Sequence, residues 1–269
     1  MRIARFAAGG DPQYGIVELA ADGGSHPDTV SVLTGDPIAM PVQLTGERKE
    51  LDGVRLLAPV IPRSKVVGVG RNYAAHAAEL GNEVPVTPLT FFKPNTAVIG
   101  PHEPIIYPKV TSELSYEGEL AVVIGRICRE VPVARVPEVI FGYTVGNDVT
   151  ARDLQRSDKQ WARAKGYDTF CPLGPWITTH QSLDEVGSLA VRTTVDGSVR
   201  QDGNTKDMIF TVAELVAYIS SYTTLLPGDV ILTGTPEGVG PIEAGQEVTV
   251  EIEGIGALTN PVASGQPAP

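Results

Sequence analysis

Apolar and polar positions alternate over short stretches of this chain, and turn residues interrupt them at close intervals. Runs such as "MRIARFA" and "YGIVELA", broken by "DGGSHPDT" and "TGDPIAMP", predict a small β-rich N-terminal domain over residues 1–60. "RLLAPVIP" leads from it into the main body, where "KVVGVG", "LTFFK", "GELAVVIG", "FGYTVGND", "LAVRTTVDG", "DVILTGTP" and "QEVTVEIEG" predict strands. Helices are fewer, at about 73–80, 135–139, 150–156 and 211–222. The last is the clearest, because Thr211 and Glu214 stand in capping-box spacing ahead of apolar residues at helical intervals. The regular strand–helix alternation of a doubly wound sheet is missing. The pattern therefore predicts a mainly β fold with some α, divided into residues 1–60, a main domain over 61–263 and a flexible tail over 264–269.

Composition narrows the partners. A chain of 269 residues with 42% hydrophobic and 20% charged residues buries a sizeable core, and 29 Gly with 22 Pro suits strands and turns. A net charge of −11 argues against nucleic acid and anionic membranes, which need a basic surface. No run approaches the ~20 apolar residues of a membrane span. Asp11 and Pro12 follow "MRIARFAAGG" too soon for a signal-peptide core. Cys128 and Cys171 form no disulfide framework and no zinc knuckle, so reduced thiols and a cytoplasmic location are expected.

The stretch "VVGVGRNYAAHAAELG" offers two readings: a phosphate cradle, or a short helix that presents His76 and Glu79. The cradle fails on its own terms. Tyr73 stands where the third small residue belongs, and Thr87-Pro88-Leu89 stands where an acidic residue should close a second strand. A nicotinamide oxidoreductase is disfavoured accordingly. His76 and Glu79, three apart on a helix, share a face, and a carboxylate beside an imidazole fixes its tautomer and makes it a better base. The bland alternative is a solvated helix face.

Carboxylates supply the second cluster. In "SYEGELAVVIG", read as extended, Glu117 and Glu119 fall on one face, with both faces of the strand buried beyond them. Gly118 between them leaves room for another group. Asp148 ends the next apolar strand. Three carboxylates without thiolate or imidazole suit a hard cation, Mg²⁺ or Mn²⁺. On spacing alone, a Glu-x-Glu is more often a solvated edge and a strand-end Asp a cap. Lys165 in "WARAKGYDT" is the best candidate for a buried amine, against the commoner surface lysine.

Taken together, "GRNYAAHAAE", "FFKPNTAVIGP", "YEGELAVVIG", "GYTVGNDVTARDLQ", "QWARAKGYDTFCPLGPWI", "PGDVILTGTPEGVGP" and "EIEGIGALTNPV" resemble, in order, the shorter members of the fumarylacetoacetate hydrolase family. The resemblance runs from about Arg63 to Val262. It implies a mixed β-sandwich roll, a homodimer and one Mg²⁺ or Mn²⁺ per site. It places the metal ligands on Glu117, Glu119 and Asp148, the catalytic lysine on Lys165, and the His–Glu pair of a lid on His76 and Glu79. The resemblance makes Gln155 and Thr235 substrate contacts, Thr235 within a carboxylate-binding loop "TGTPEGVG", and gives Lys93 a supporting role. Tyr73 is a further candidate contact, and Arg71, at a position where relatives vary, is either a cation for a second substrate carboxylate or a surface residue. The implied activity is on small 2-oxo or enol dicarboxylic acids. It is cleavage of a C–C bond, by acylpyruvate hydrolysis or oxaloacetate decarboxylation, through an enolate whose charge the ion carries. The alternatives are isomerisation of a 2-hydroxyhepta-2,4-diene-1,7-dioate, as in aromatic catabolism, and a non-enzymatic binding module. The N-terminal unit is much shorter than in the enzymes of the family that complete tyrosine breakdown, which argues against fumarylacetoacetate itself as the expected substrate. Gly68, Gly70 and Gly81 bracket the His76 helix, which predicts a mobile lid.

Overall fold

The computed structural model describes residues 1–20, 26–79 and 83–265. Its architecture is predominantly β, as the alternation predicts, with strands gathered into sheets of twelve, five and three. The strand Gly118–Ile124 is central to the largest, lying between Ile140–Asn147 and Val230–Leu232. Its apolar residues serve two layers. Leu120 and Val122 pack with Val191, Val250 and Ile252 of the five-stranded sheet and with Leu215, Val216 and Ile219 of the helix Val212–Tyr222. Ala121 and Val123 turn the other way, against Val66, Leu173, Ile177 and Val230. A strand clamped between two apolar layers holds its ends rigidly, and that is where the acidic residues stand.

The expected strands all form, some shorter than the apolar runs, and Thr211 and Glu214 make the predicted reciprocal cap. Three expectations are corrected. The helix at 135–139 is a 3-10 turn, Val133–Glu138, tightened around Pro137. The helix at 150–156 begins only at Arg152, because Thr150–Ala151 pairs with Leu114–Tyr116. Ser264, expected to open a flexible tail, belongs instead to the strand Gly256–Ser264 and pairs with Tyr107, and the rest of the expected tail, from 266 on, lies outside the described residues.

The strand Cys171–Thr178, between Ile140–Asn147 and Arg2–Ala7, does not announce itself in the sequence. Pro172, Gly174 and Pro175 argue against a central strand. The ladder shifts register between Tyr143 and Val145, and Pro175 falls in that irregularity. Through this strand the N-terminal strands, from Arg2–Ala7 outward to Leu44–Glu50, extend the main sheet.

Candidate active site

The chain leaves one sheet for another at Glu117. Leu114–Tyr116 pairs in the three-stranded sheet and Gly118–Ile124 in the large one, so the single strand expected for "SYEGELAVVIG" is broken at its first carboxylate. Gly118 pairs with Asn147, and the next step along the ladder brings the Asp148 N–H to the Glu117 carbonyl at 2.9 Å. Carboxylate oxygens of Glu117, Glu119 and Asp148 thereby come within 4.8 Å of one another, all three residues buried. The space beside Gly118 is filled by protein: a Cβ there would stand 2.3 Å from Thr193 Oγ1.

Two buried lysines face this cluster. Lys165, the last residue of the helix Ala162–Lys165, donates from Nζ to Glu117 Oε2 at 2.8 Å and Asp148 Oδ2 at 2.6 Å. Lys93, ending the edge strand Leu89–Lys93, holds Asp148 Oδ1 and the Val149 carbonyl. Arg152 donates to Glu117 Oε1 at 2.6 Å and to Gln155 Oε1 at 2.6 Å. Glu119 receives one hydrogen bond among the described residues, from the Gly234 N–H at 2.7 Å. Gly234 has φ +98°, a left-handed conformation that side chains rarely adopt, and a Cβ there would stand 2.7 Å from Asn72 Cβ.

The charges divide accordingly. Burial alone drives a carboxyl up, but Lys165 and Arg152 outweigh it at Glu117 and hold that group well below the usual carboxylate range. Glu119 goes the other way: burial pushes it well up, and Asp148 and Glu117 push in the same direction. Burial also disfavours the charge on Lys165, yet Asp148 and Glu117 more than offset this and raise its pKa. The donor set fits a hard divalent cation. It consists of three convergent buried carboxylates, one of them poorly neutralised, with no thiolate or imidazole among the clustered ligand atoms.

A cavity of about 320 Å³ opens beside the cluster, lined by Gly70, Arg71, His76, Glu117, Gln155 and Lys165 among others. His76 is buried, which pushes its pKa down, with Glu117 and Glu79 opposing. Its Nδ1 lies 3.4 Å from Glu79 Oε2, so Nε2 is the nitrogen left to exchange a proton. The Glu79 carboxylate in turn accepts the Gly238 N–H, 3.2 Å from each oxygen. Arg71 sits at φ 59°, strained for a residue with a side chain. Gln155 and Thr235 reach the wall; Tyr73 does not. Its phenol is buried and, among the described residues, has no hydrogen-bond partner, and burial and then Glu119 push its pKa far up.

The glycines of the opening stretch serve the cavity wall. Gly68 and Gly70 are both paired within Val66–Gly70, so neither is a free hinge, and Gly81 lies outside the described residues. Asn72, hydrogen-bonded to Phe210 and Thr233, pins the chain just after them. What the glycines permit is close aromatic packing: a Cβ would stand 2.2 Å from the Phe91 ring at Gly68 and 2.7 Å from Trp161 at Gly70. The two rings meet edge to face at 5.5 Å, and Lys165 Nζ lies 5.0 Å from the Phe91 centroid. Arg152, Trp161 and Gln201 escaped the sequence reading. Arg152 had a signal, three residues before Gln155 on a helix. Gln201, on a strand of another sheet, had none.

Residues 65–263 match the family described as fumarylacetoacetate (FAA) hydrolase, C-terminal, and residues 1–59 match one described as Rv2993c-like, N-terminal. The chain belongs to the fumarylacetoacetate hydrolase family. Protein Rv2993c of Mycobacterium tuberculosis is 51% identical over 265 residues, which span 97% of this chain and 98% of that protein. Among solved structures, 5-carboxymethyl-2-hydroxymuconate delta-isomerase from Mycobacterium smegmatis is 49% identical with a TM-score of 0.89, over 98% of this chain and 100% of that one. Fumarylpyruvate hydrolase from Pseudomonas aeruginosa, in complex with Mn²⁺ and pyruvate, is 36% identical with a TM-score of 0.71, over 76% of this chain and 91% of that one. No described helix is long and apolar enough to cross a membrane.

Proposed function

We propose that this chain is a divalent-metal-dependent enzyme that cleaves a C–C bond in small 2-oxo or enol dicarboxylic acids. The observation that carries the reading is the convergence of Glu117, Glu119 and Asp148, with Lys165 between two of them, at the edge of a cavity rich in cations. Glu117, Glu119 and Asp148 would hold the ion, Mg²⁺ or Mn²⁺, which when bound supplies Lewis acidity toward the oxygens of a 2-oxo acid. Lys165 places a fixed positive charge where anionic character develops. Arg71, Arg152 and Arg156 line the same cavity and suit a substrate with carboxylates. His76 accepts a proton at Nε2, from water in a hydrolysis or from carbon in a tautomerisation, and Glu79 orients the ring through Nδ1.

Isomerisation is the second reading, favoured by the likeness over the whole chain to a structure named as an isomerase. A panel of oxaloacetate, acetylpyruvate, fumarylpyruvate and 2-hydroxyhepta-2,4-diene-1,7-dioate, with either ion supplied, separates the two. Glu119→Ala abolishes every activity together. His76→Ala removes hydrolysis and spares much of the decarboxylation; equal losses would defeat that division of labour. A wild-type chain inert toward the whole panel would overturn the proposal. The homodimer that the family resemblance implies belongs to the same proposal and is tested by sedimentation equilibrium.

A further inference from the structure

Gln201 stands outside the acid–lysine cluster, on the strand Ser198–Asn204 of the five-stranded sheet, and is fully buried. Its Oε1 accepts the Gly118 N–H at 3.0 Å. Its Nε2 donates to Thr235 Oγ1 at 2.7 Å and to the Pro236 carbonyl at 2.8 Å. Thr235 Oγ1 donates in turn to the Gly118 carbonyl at 2.9 Å. The hydrogen bonds close a ring around the residue that separates Glu117 from Glu119.

From this ring we infer that Gln201 is a positioning residue, fixing the backbone between the two carboxylates and holding the Thr235–Pro236 wall of the cavity against it. Only a neutral amide of this length accepts and donates at once; glutamate accepts only, and methionine fills the space while doing neither. The Thr235 hydroxyl is fixed with it, its proton committed to Gly118. The ring therefore links the second sheet to the cavity through side chains that need not touch the ligand.

The binding arm of the test rests on the proposed function, with pyruvate plus Mn²⁺ as the probe. Gln201→Met and Thr235→Val each break the ring. Each weakens pyruvate binding by about tenfold, because a wall released from Gly118 must be ordered again when the ligand binds. The double variant loses no more than the weaker single, because the ring acts as one unit. Thr235→Ser restores wild-type affinity. In parallel, amide exchange at Gly118 in Gln201→Met becomes faster than global unfolding allows. Additive losses, or Gly118 exchange that follows global unfolding alone, overturn the proposal. Should Gln201→Met fail to fold, Gly118 amide exchange in Thr235→Val against Thr235→Ser decides, because Thr235 itself lines the cavity and its pyruvate affinity alone does not isolate the ring. If wild type binds no pyruvate, the substrate reading falls, and the exchange arm still decides the ring.

Discussion

Glu119 concentrates the electrostatics of the site in one side chain. Burial raises its pKa well above the ordinary carboxylate value, and the neighbouring Asp148 and Glu117 add to that. A group raised in the folded state contributes stability that is present below its unfolded value and lost as pH rises through the folded one. With metal chelated, wild type should therefore lose stability relative to Glu119→Gln as pH climbs above the ordinary value of 4.5. Urea midpoints of the two proteins across that range, in EDTA, provide the check. The same variant should bind Mn²⁺ at least about tenfold more weakly, measured by the electron paramagnetic resonance signal of the free ion, because a neutral amide oxygen replaces an anionic one. An unchanged Mn²⁺ affinity would remove Glu119 from the ligand set. At this scale the sequence was informative about chemistry and silent about satisfaction. Residue types pointed to a hard-cation site and a buried amine, while it was the family resemblance, not spacing, that drew Glu117, Glu119, Asp148 and Lys165 into one expected site. The sequence held no sign that Tyr73 stays off the cavity wall, or that the Thr235 hydroxyl is already committed within the protein.

The strand Val66–Gly70 shows why local patterns were legible as elements but not as purposes. Its apolar run and two glycines correctly read as a strand, yet the glycines read equally well as a phosphate turn or a hinge. What decides their role is a pair of rings brought from elsewhere, Phe91 on the neighbouring strand and Trp161 ahead of the Lys165 helix. Gly68→Ala forces its new methyl into the Phe91 ring, which then moves toward or away from Lys165. The expected cost is about 1–3 kcal/mol of stability, as for other overpacked cores. Catalytic loss should exceed what that destabilisation explains, since the displaced ring no longer stands at its 5.0 Å distance from Lys165 Nζ. Thermal unfolding together with kcat at a temperature well below the midpoint separates the two effects. Full activity in a folded Gly68→Ala protein would show that the ring does not position Lys165. The strand Cys171–Thr178 illustrates the converse. Its prolines concealed a central strand because their accommodation depends on a register shift in the partner, Ile140–Asn147.

For the molecule as a whole, the division at residue 60 reads clearly along the chain but is bridged in space. The strand Arg2–Ala7 pairs with Cys171–Thr178, and Trp176 packs with Ala4, Phe6, Val17, Val30 and Val32 of the N-terminal part. Composition and turn residues mark where a chain changes character, but they carry no information about pairing between residues as distant as Arg2 and Thr178, which is decided by the exposed edge each part presents. Continuous pairing and a shared apolar contact predict that the two parts unfold as one. Phe6, fully buried at that contact, is the place to test it. Phe6→Ala should cost about 3–5 kcal/mol through lost burial and the cavity left behind. If the parts are coupled, that loss appears in a single transition. Fluorescence dominated by Trp161, isolated by replacing Trp176 with Phe in both backgrounds, should then report the same lowered midpoint as far-ultraviolet circular dichroism. A Trp161 transition that keeps its midpoint while the circular dichroism splits in two would mean that the catalytic part folds independently, with the N-terminal strands an addition to its sheet and no part of what holds the carboxylates in place.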